Sequence, residues 1–148
     1  MGEFGDFHNS LSGISLNLVR MIGEILLGLV VNPNAGGKVA RAYFAAKDFF
    51  AKHKIEHTLI SADNSEQCRQ ELIELAPSVI VAIGGDGTLH SLTGFAINHK
   101  IPVVLLPSGS GNDSARKFGL INKKPEQILS AGLIDKNFES IDVMSVKV

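Results

Sequence analysis

The chain has 148 residues, 45% of them hydrophobic and 20% charged, with a net charge of −1. That length and composition suit one domain with a proper core and exclude a disordered chain. No basic stripe runs along it, which excludes nucleic acid as a partner, and the single cysteine, Cys68, excludes an internal disulfide or a cysteine cluster for zinc.

Residues 1–24 carry Leu11, Ile14, Leu16, Leu18, Val19 and Ile22, broken by Ser, Asn and Gly. Glu3 and Asp6 stand where a secretory signal would be positive, and Arg20 and Glu24 interrupt any spanning segment. This stretch reads as an extension ahead of a domain that starts at Ile25. From there the pattern alternates. Ile25 to Asn32 is a continuous apolar run, as a strand buried on both faces requires. After the loop Pro33-Asn34-Ala35-Gly36-Gly37, the spacing of Val39, Ala42, Tyr43, Ala46, Phe49 and Phe50 predicts a helix to about Lys54. Glu56 to Ser61 reads as a second strand. A helix capped by Asp63 or Ser65 runs to about Glu74, stopped by Pro77, with Cys68 on its apolar face as a buried, inert thiol. Val79 to Ile83 is a third strand. Leu89 to Asn98 is a helix on Leu89, Leu92, Thr93, Ala96 and Ile97, and Pro102 to Leu106 is a fourth strand. Short helices follow at 113–118 and 125–131, and the tail from Asn137 to Val148 turns strand-like through Ile141, Val143, Val146 and Val148. Strand and helix alternating at this spacing predict an α/β fold, a parallel sheet between two layers of helices. Ligands of such sheets bind at the carboxyl ends of the strands.

Three glycine-containing loops fall at those ends: 33–37, 84–88 and 107–113. Gly84-Gly85-Asp86-Gly87-Thr88 joins a β-branched strand directly to a helix. Such a turn aims backbone N–H groups and the positive end of a helix dipole at one point, which makes an anion site and usually a phosphate site. Asp86 is the anomaly, because a carboxylate repels phosphate unless it holds a metal, a ribose hydroxyl or an acceptor hydroxyl, or caps the helix that follows. The first loop is neither a Walker A loop nor a dinucleotide fingerprint. Lys38 beyond it either neutralises a phosphate or starts a helix in solvent. The third loop offers the hydroxyls of Ser108 and Ser110, the amide of Asn112 and free backbone N–H groups; read alone it is a turn with Asp113 as a cap, and beside two similar loops that reading gives way to a share in the same crevice. The histidines, His8, His53, His57, His90 and His99, show no metal spacing, and no metal-ligating residue is assigned.

The segments Asn32-Pro33-x-Ala35-Gly36-Gly37, Gly84-Gly85-Asp86-Gly87-Thr88-Leu89-His90 and Pro107-Ser108-Gly109-Ser110-Gly111-Asn112-Asp113-x-Ala115-Arg116 resemble the diacylglycerol kinase catalytic domain, shared by bacterial lipid kinases and sphingosine kinases and more distantly by NAD kinases. The resemblance covers 25–148. The second segment is common to several kinase families, and the third is the more specific. The resemblance implies an ATP:lipid phosphotransferase using Mg2+, in phospholipid metabolism, with the fold of the N-terminal domain of those kinases. It implies nucleotide-binding roles for Asn32, Gly36, Gly37, Ser61, Gly84, Gly85, Asp86, Gly87, Thr88, Leu89, His90, Ser110, Gly111, Asn112 and Asp113, and a catalytic or metal-linked role for Asp86. Ser110 stands where the family has a nucleotide-contacting threonine, and Ser61 aligns loosely with another. Ser91 replaces the family's Glu, and Gly94 a nearby Asn. Members run to about twice this length through a second, β-rich domain that carries the lipid surface, so residues 25–148 read as the nucleotide-binding domain with that partner absent.

The function expected is therefore the ATP-binding part of a kinase that phosphorylates a lipid hydroxyl such as that of diacylglycerol. The alternatives are an NAD kinase-like small-molecule kinase, which the third segment disfavours, and a non-catalytic nucleotide-binding module, which Ser91 and the absent domain favour. A cytoplasmic protein is expected, with peripheral contact at the inner membrane face through the absent domain. A homodimer is left open.

Overall fold

The computed structural model describes residues 25–144. Its four strands are β1 (Leu27–Val31), β2 (His57–Ser61), β3 (Val79–Gly84) and β4 (Val103–Pro107), all parallel and ordered β2-β1-β3-β4. The strands with the longest apolar runs take the centre. Every residue of β3 is buried, as are four of the five in β1, while the edge strand β2 buries Ile60 and exposes Thr58, Leu59 and Ser61. A central parallel strand is covered on both faces and has no polar side to show.

The helices are α1 (Lys38–His53), α2 (Ser65–Leu75), α3 (Asp86–His99), α4 (Asp113–Lys117) and α5 (Pro125–Leu129), the last running into a π-helical turn, Ser130–Ile134. They divide between the two faces of the sheet. On one, Val39, Ala42, Ala46, Phe49 and Phe50 of α1 join Ile128, Leu129 and Leu133 over Leu29, Val81, Ile83 and Leu106. On the other, Cys68 and Leu72 of α2, Leu92 and Phe95 of α3 and Ala115 of α4 cover Val30, Ile60, Ile80, Ala82 and Leu105. Alternate strand residues thus feed two separate cores, and the three-layer α/β arrangement expected from the alternation is the one observed. Cys68 is buried, and burial pushes its thiol up from the usual range.

Three expectations need correcting. The cap of α2 is neither Asp63 nor Ser65 but Asn64 between them, whose Oδ1 accepts the Gln67 N–H at 3.0 Å. The helix placed at Leu89 begins three residues earlier, at Asp86, so most of the glycine motif is helix and only Gly85 separates it from β3. Glycine's low helix propensity hides a first turn that the end of the strand and the tertiary packing impose. The strand-like tail also forms no strand within 137–144, where Ile141, Val143 and Met144 are exposed. Alternation alone does not make a strand without a neighbour for its backbone N–H and C=O groups. The extension 1–24 and residues 145–148 lie outside the described residues.

Helices α1, α2 and α3 each end on a left-handed residue that is not glycine: Lys54 (φ 55°), Ala76 (φ 47°) and Lys100 (φ 54°). The left-handed region costs a residue with a Cβ roughly 1 kcal/mol or more. Lys100→Gly should therefore raise the unfolding free energy by about 1 kcal/mol in urea denaturation, the glycine's extra freedom in the unfolded chain offsetting part of the gain. A destabilised variant would show that the left-handed cap costs Lys100 nothing.

Candidate functional site

The strand order changes direction between β1 and β3: the chain leaves β1 toward β2 on one side and returns to β3 on the other. The loops that follow β1 and β3 therefore part at the sheet's carboxyl edge and leave a crevice there. It has a volume of about 350 Å³ and is walled by Asn32, Asn34 and Ala35 after β1, by Gly85 to Thr88 after β3, and by Gly109, Ser110 and Gly111 after β4. A larger groove, about 520 Å³, follows the free edge of β4 past Leu89, Ile97 and Phe138. It is mainly apolar, and it is the smaller, polar crevice that gathers all three motifs.

Each wall has a local cause. Asn32 follows β1 directly, its N–H donated to the Ile83 carbonyl at 3.1 Å, and its Oδ1 accepts the N–H of Asn34 at 3.0 Å. That Asx turn bends the chain across the end of β3. The Asn32 amide also donates to Thr88 Oγ1 at 3.4 Å, tying the first wall to the second. Thr88 is buried, and its carbonyl accepts the hydroxyl of Ser91, so the residue in the place of the family's Glu serves the first turn of α3. Gly85 is the N-cap of α3 in extended backbone, with no side chain capping the helix. A 14-residue helix thus opens into the crevice with its first N–H groups uncapped by its own residues, the geometry that attracts an anion.

Proximity restricts two of the glycines where the second and third walls meet. A Cβ on Gly109 would stand 2.7 Å from the Gly85 Cα, and one on Gly85 would stand 3.1 Å from the Gly109 Cα. The second and third walls cross there, backbone on backbone. Gly87 is the reverse case: a Cβ there meets nothing within 4 Å, because it would project into open space.

Asp86 is the first residue of α3, and its carboxylate does not cap that helix. Instead Oδ2 accepts the Asp113 N–H and Oδ1 the Ser114 N–H, both at 2.8 Å, so that it caps α4 across the site. Those two donors, Ser114 first and then Asp113, hold the Asp86 carboxyl below the usual carboxylate range. Asp113 itself pairs with Arg116 at 2.8 Å. Among the described residues, no cluster of three or more His, Cys, Asp or Glu could hold a metal ion.

Of the residues expected from sequence, the structure brings Asn32, Gly85, Asp86, Gly87, Thr88, Ser110 and Gly111 together in the crevice. Gly84 ends β3 beneath the Thr88 side chain, and Asn112 stands behind the third wall. The others lie outside it. Gly36 and Gly37 are exposed at the entry to α1, and Ser61 is exposed at the end of the edge strand, its hydroxyl donated to Asp63 at 2.7 Å. Leu89 is partly buried against the α2–α3 core, and His90 and Asp113 are exposed. Of the two hydroxyls expected from the third loop, Ser110 reaches the crevice, while Ser108 is only 2% exposed and its hydroxyl has no partner among the described residues. Asn34, Ala35 and Gly109 were not singled out by sequence as binding residues. The Asn-Pro-Asn spacing carried the signal for Asn34, since it favours the Asx turn that is observed.

Residues 27–146 match the diacylglycerol kinase catalytic domain. Over 64 residues the chain is 34% identical to the diacylglycerol kinases of two Mycobacterium tuberculosis strains, CDC 1551 / Oshkosh and ATCC 25618 / H37Rv, a stretch that is 43% of this chain and 20% of theirs. A crystal structure of a diacylglycerol kinase from Bacillus anthracis str. Sterne superposes with a TM-score of 0.59 at 24% identity, over 78% of this chain and 41% of that one. A second structure from the same organism gives 0.58 at the same identity and coverage. The chain thus spans about two-fifths of the solved structures it resembles, and their likeness bears on the fold.

The crossing of the two walls gives a direct test of the geometry. Gly109→Ala should destabilise the domain by about 1–3 kcal/mol, the scale of overpacking, because the atom it meets is backbone and cannot rotate away. Chemical denaturation at unchanged m-value measures this; a neutral substitution would mean that the loops do not cross at these glycines.

Proposed function

The chain belongs to the diacylglycerol kinase catalytic domain family, and from that premise we propose that it is the ATP-binding part of a kinase that transfers the γ-phosphate of ATP to a lipid hydroxyl, of the diacylglycerol class. The observation that carries the reading is the uncapped N-terminus of α3, facing a polar crevice at the point where the strand order changes direction. Phosphoryl transfer asks the protein mainly for positioning and for stabilisation of charge on the phosphate oxygens. The backbone N–H groups at the start of α3 and of the Ser110-Gly111 segment would bind those oxygens. The Ser110 hydroxyl and the Asn32 amide would add hydrogen bonds, and Thr88 would hold the Asn32 amide in place.

The residues present fit a polyphosphate. No lysine or arginine side chain is among those walling the crevice, and its one carboxylate, Asp86, has an N–H donor on each oxygen. Magnesium would accordingly be carried mostly by the phosphates, as is usual for an ion that keeps much of its hydration, and would supply charge neutralisation there. The lipid acceptor, magnesium use and contact with the inner membrane face are parts of this reading that belong to the whole protein.

Gly87 offers the test that leaves the fold alone. Gly87→Val adds three carbons at a wall of the crevice, and its Cβ meets nothing within 4 Å. ATP affinity, measured with magnesium by calorimetry, should fall at least about tenfold, while stability stays within about 0.5–1 kcal/mol of the parent, as for substitutions that disturb no packing. Equal affinity in the two proteins would remove the crevice from nucleotide binding.

A further inference from the structure

The segment Gly109 to Asn112 is a small closed unit. Asn112 is in the left-handed region (φ 53°), and its side chain exchanges two hydrogen bonds with Gly109: Oδ1 accepts the Gly109 N–H at 3.1 Å, and Nδ2 donates to the Gly109 carbonyl at 2.7 Å. The unit is held to the rest of the site at both ends. At its start, Gly109 lies against Gly85. Past its end, the N–H groups of Asp113 and Ser114 are held by the two oxygens of Asp86. Consecutive residues, Gly85 and Asp86, therefore grip the two ends of the loop that presents Ser110 and Gly111 to the crevice.

From this geometry we propose that Asp86 is a positioning residue for that loop: its carboxylate acts through the N–H groups of Asp113 and Ser114, and so sets where Ser110 and Gly111 meet a bound phosphate. This rests on the reading of the crevice as a phosphate site. The proposal explains why a carboxylate can stand beside phosphates. Each oxygen accepts a backbone N–H, which spreads its charge into α4, and Arg116, paired with Asp113, adds positive charge at the same end. The two N–H groups fix the carboxylate's orientation through both of its oxygens, so its position and that of the loop are set together. The pKa direction agrees, because the donors that bind the charged form also hold the carboxyl below its usual range.

The proposal predicts the sign of an effect. Removing a negative charge next to a bound polyphosphate should tighten binding if that charge only repels. If Asp86 positions the loop, removing it should weaken binding. In the chain as it stands, Asp86→Ala should lower ATP affinity about tenfold, the scale of one lost charge-assisted hydrogen bond. It should also speed hydrogen exchange of the Asp113 and Ser114 amides, read by NMR. Asp86→Asn retains an acceptor for one of the two amides and should fall between alanine and the parent on both measures. It also serves as the test variant should Asp86→Ala fail to fold. In the parent, both amides should lose protection only when the pH falls through the lowered titration range of the Asp86 carboxyl. Unchanged amide protection in both variants, or tighter ATP binding with either, would overturn the proposal. If the parent binds no ATP, the phosphate reading fails, and the amide exchange still decides whether Asp86 holds the loop.

Discussion

The site depends on two parallel strands whose following loops must cross. β3 and β4 are hydrogen-bonded neighbours, with Gly84 opposite Pro107, and the Ser108 N–H donates to the Gly84 carbonyl at 2.9 Å. Beyond that last bond the chains diverge, one into α3 and the other toward α4, and they pass at Gly85 and Gly109, with no room for a Cβ on Gly109 and little on Gly85. Neither glycine is in the left-handed region, so proximity rather than the turn restricts them. The crossing brings the start of α3 and the Ser110-Gly111 segment to one place, and the Asn32–Asn34 turn closes the remaining side.

The electrostatics of the crevice follow from that packing. A site for a highly charged ligand would ordinarily be lined with lysine or arginine, and none stands among the walling residues. The positive potential comes instead from oriented backbone dipoles at the start of α3, which are fixed in space before any ligand arrives. Dipoles held by a folded backbone need no reorganisation when charge shifts between phosphate oxygens. They would also leave part of a polyphosphate's charge unneutralised, a share that a cation bound to the ligand would carry under the proposed function.

The sequence disclosed the architecture well because the architecture is a pattern of burial. Continuous apolar runs mark β1 and β3, and helical spacing marks α1 and α2. The glycine motifs mark all three walls of the crevice. What escaped the sequence depended on partners far along the chain. The start of α3 at Asp86 is imposed by β3 and by the loop that crosses it. The Ser108 side chain is buried while Ser110 reaches the crevice, an arrangement that loop composition does not disclose. A linear motif places Ser61 and His90 near the site, but the one ends the exposed edge strand and the other lies on the exposed face of α3.

Asp86 shows best what spacing alone withholds. In the sequence it reads as a free carboxylate beside a phosphate loop, with catalysis and helix capping as the competing readings. In the structure it does cap a helix, but one that begins 27 residues later at Asp113 rather than its own. That long-range cap joins the two ideas, since a residue bound in this way would govern ligand contacts it does not itself make. It also links the first turn of α3 to α4, whose Ala115 is buried in the same core as Leu92 and Phe95 of α3. A ligand that pulls on Ser110 or Gly111 would therefore act against both the Asp86 cap and that core, whose close packing resists displacement of the third wall.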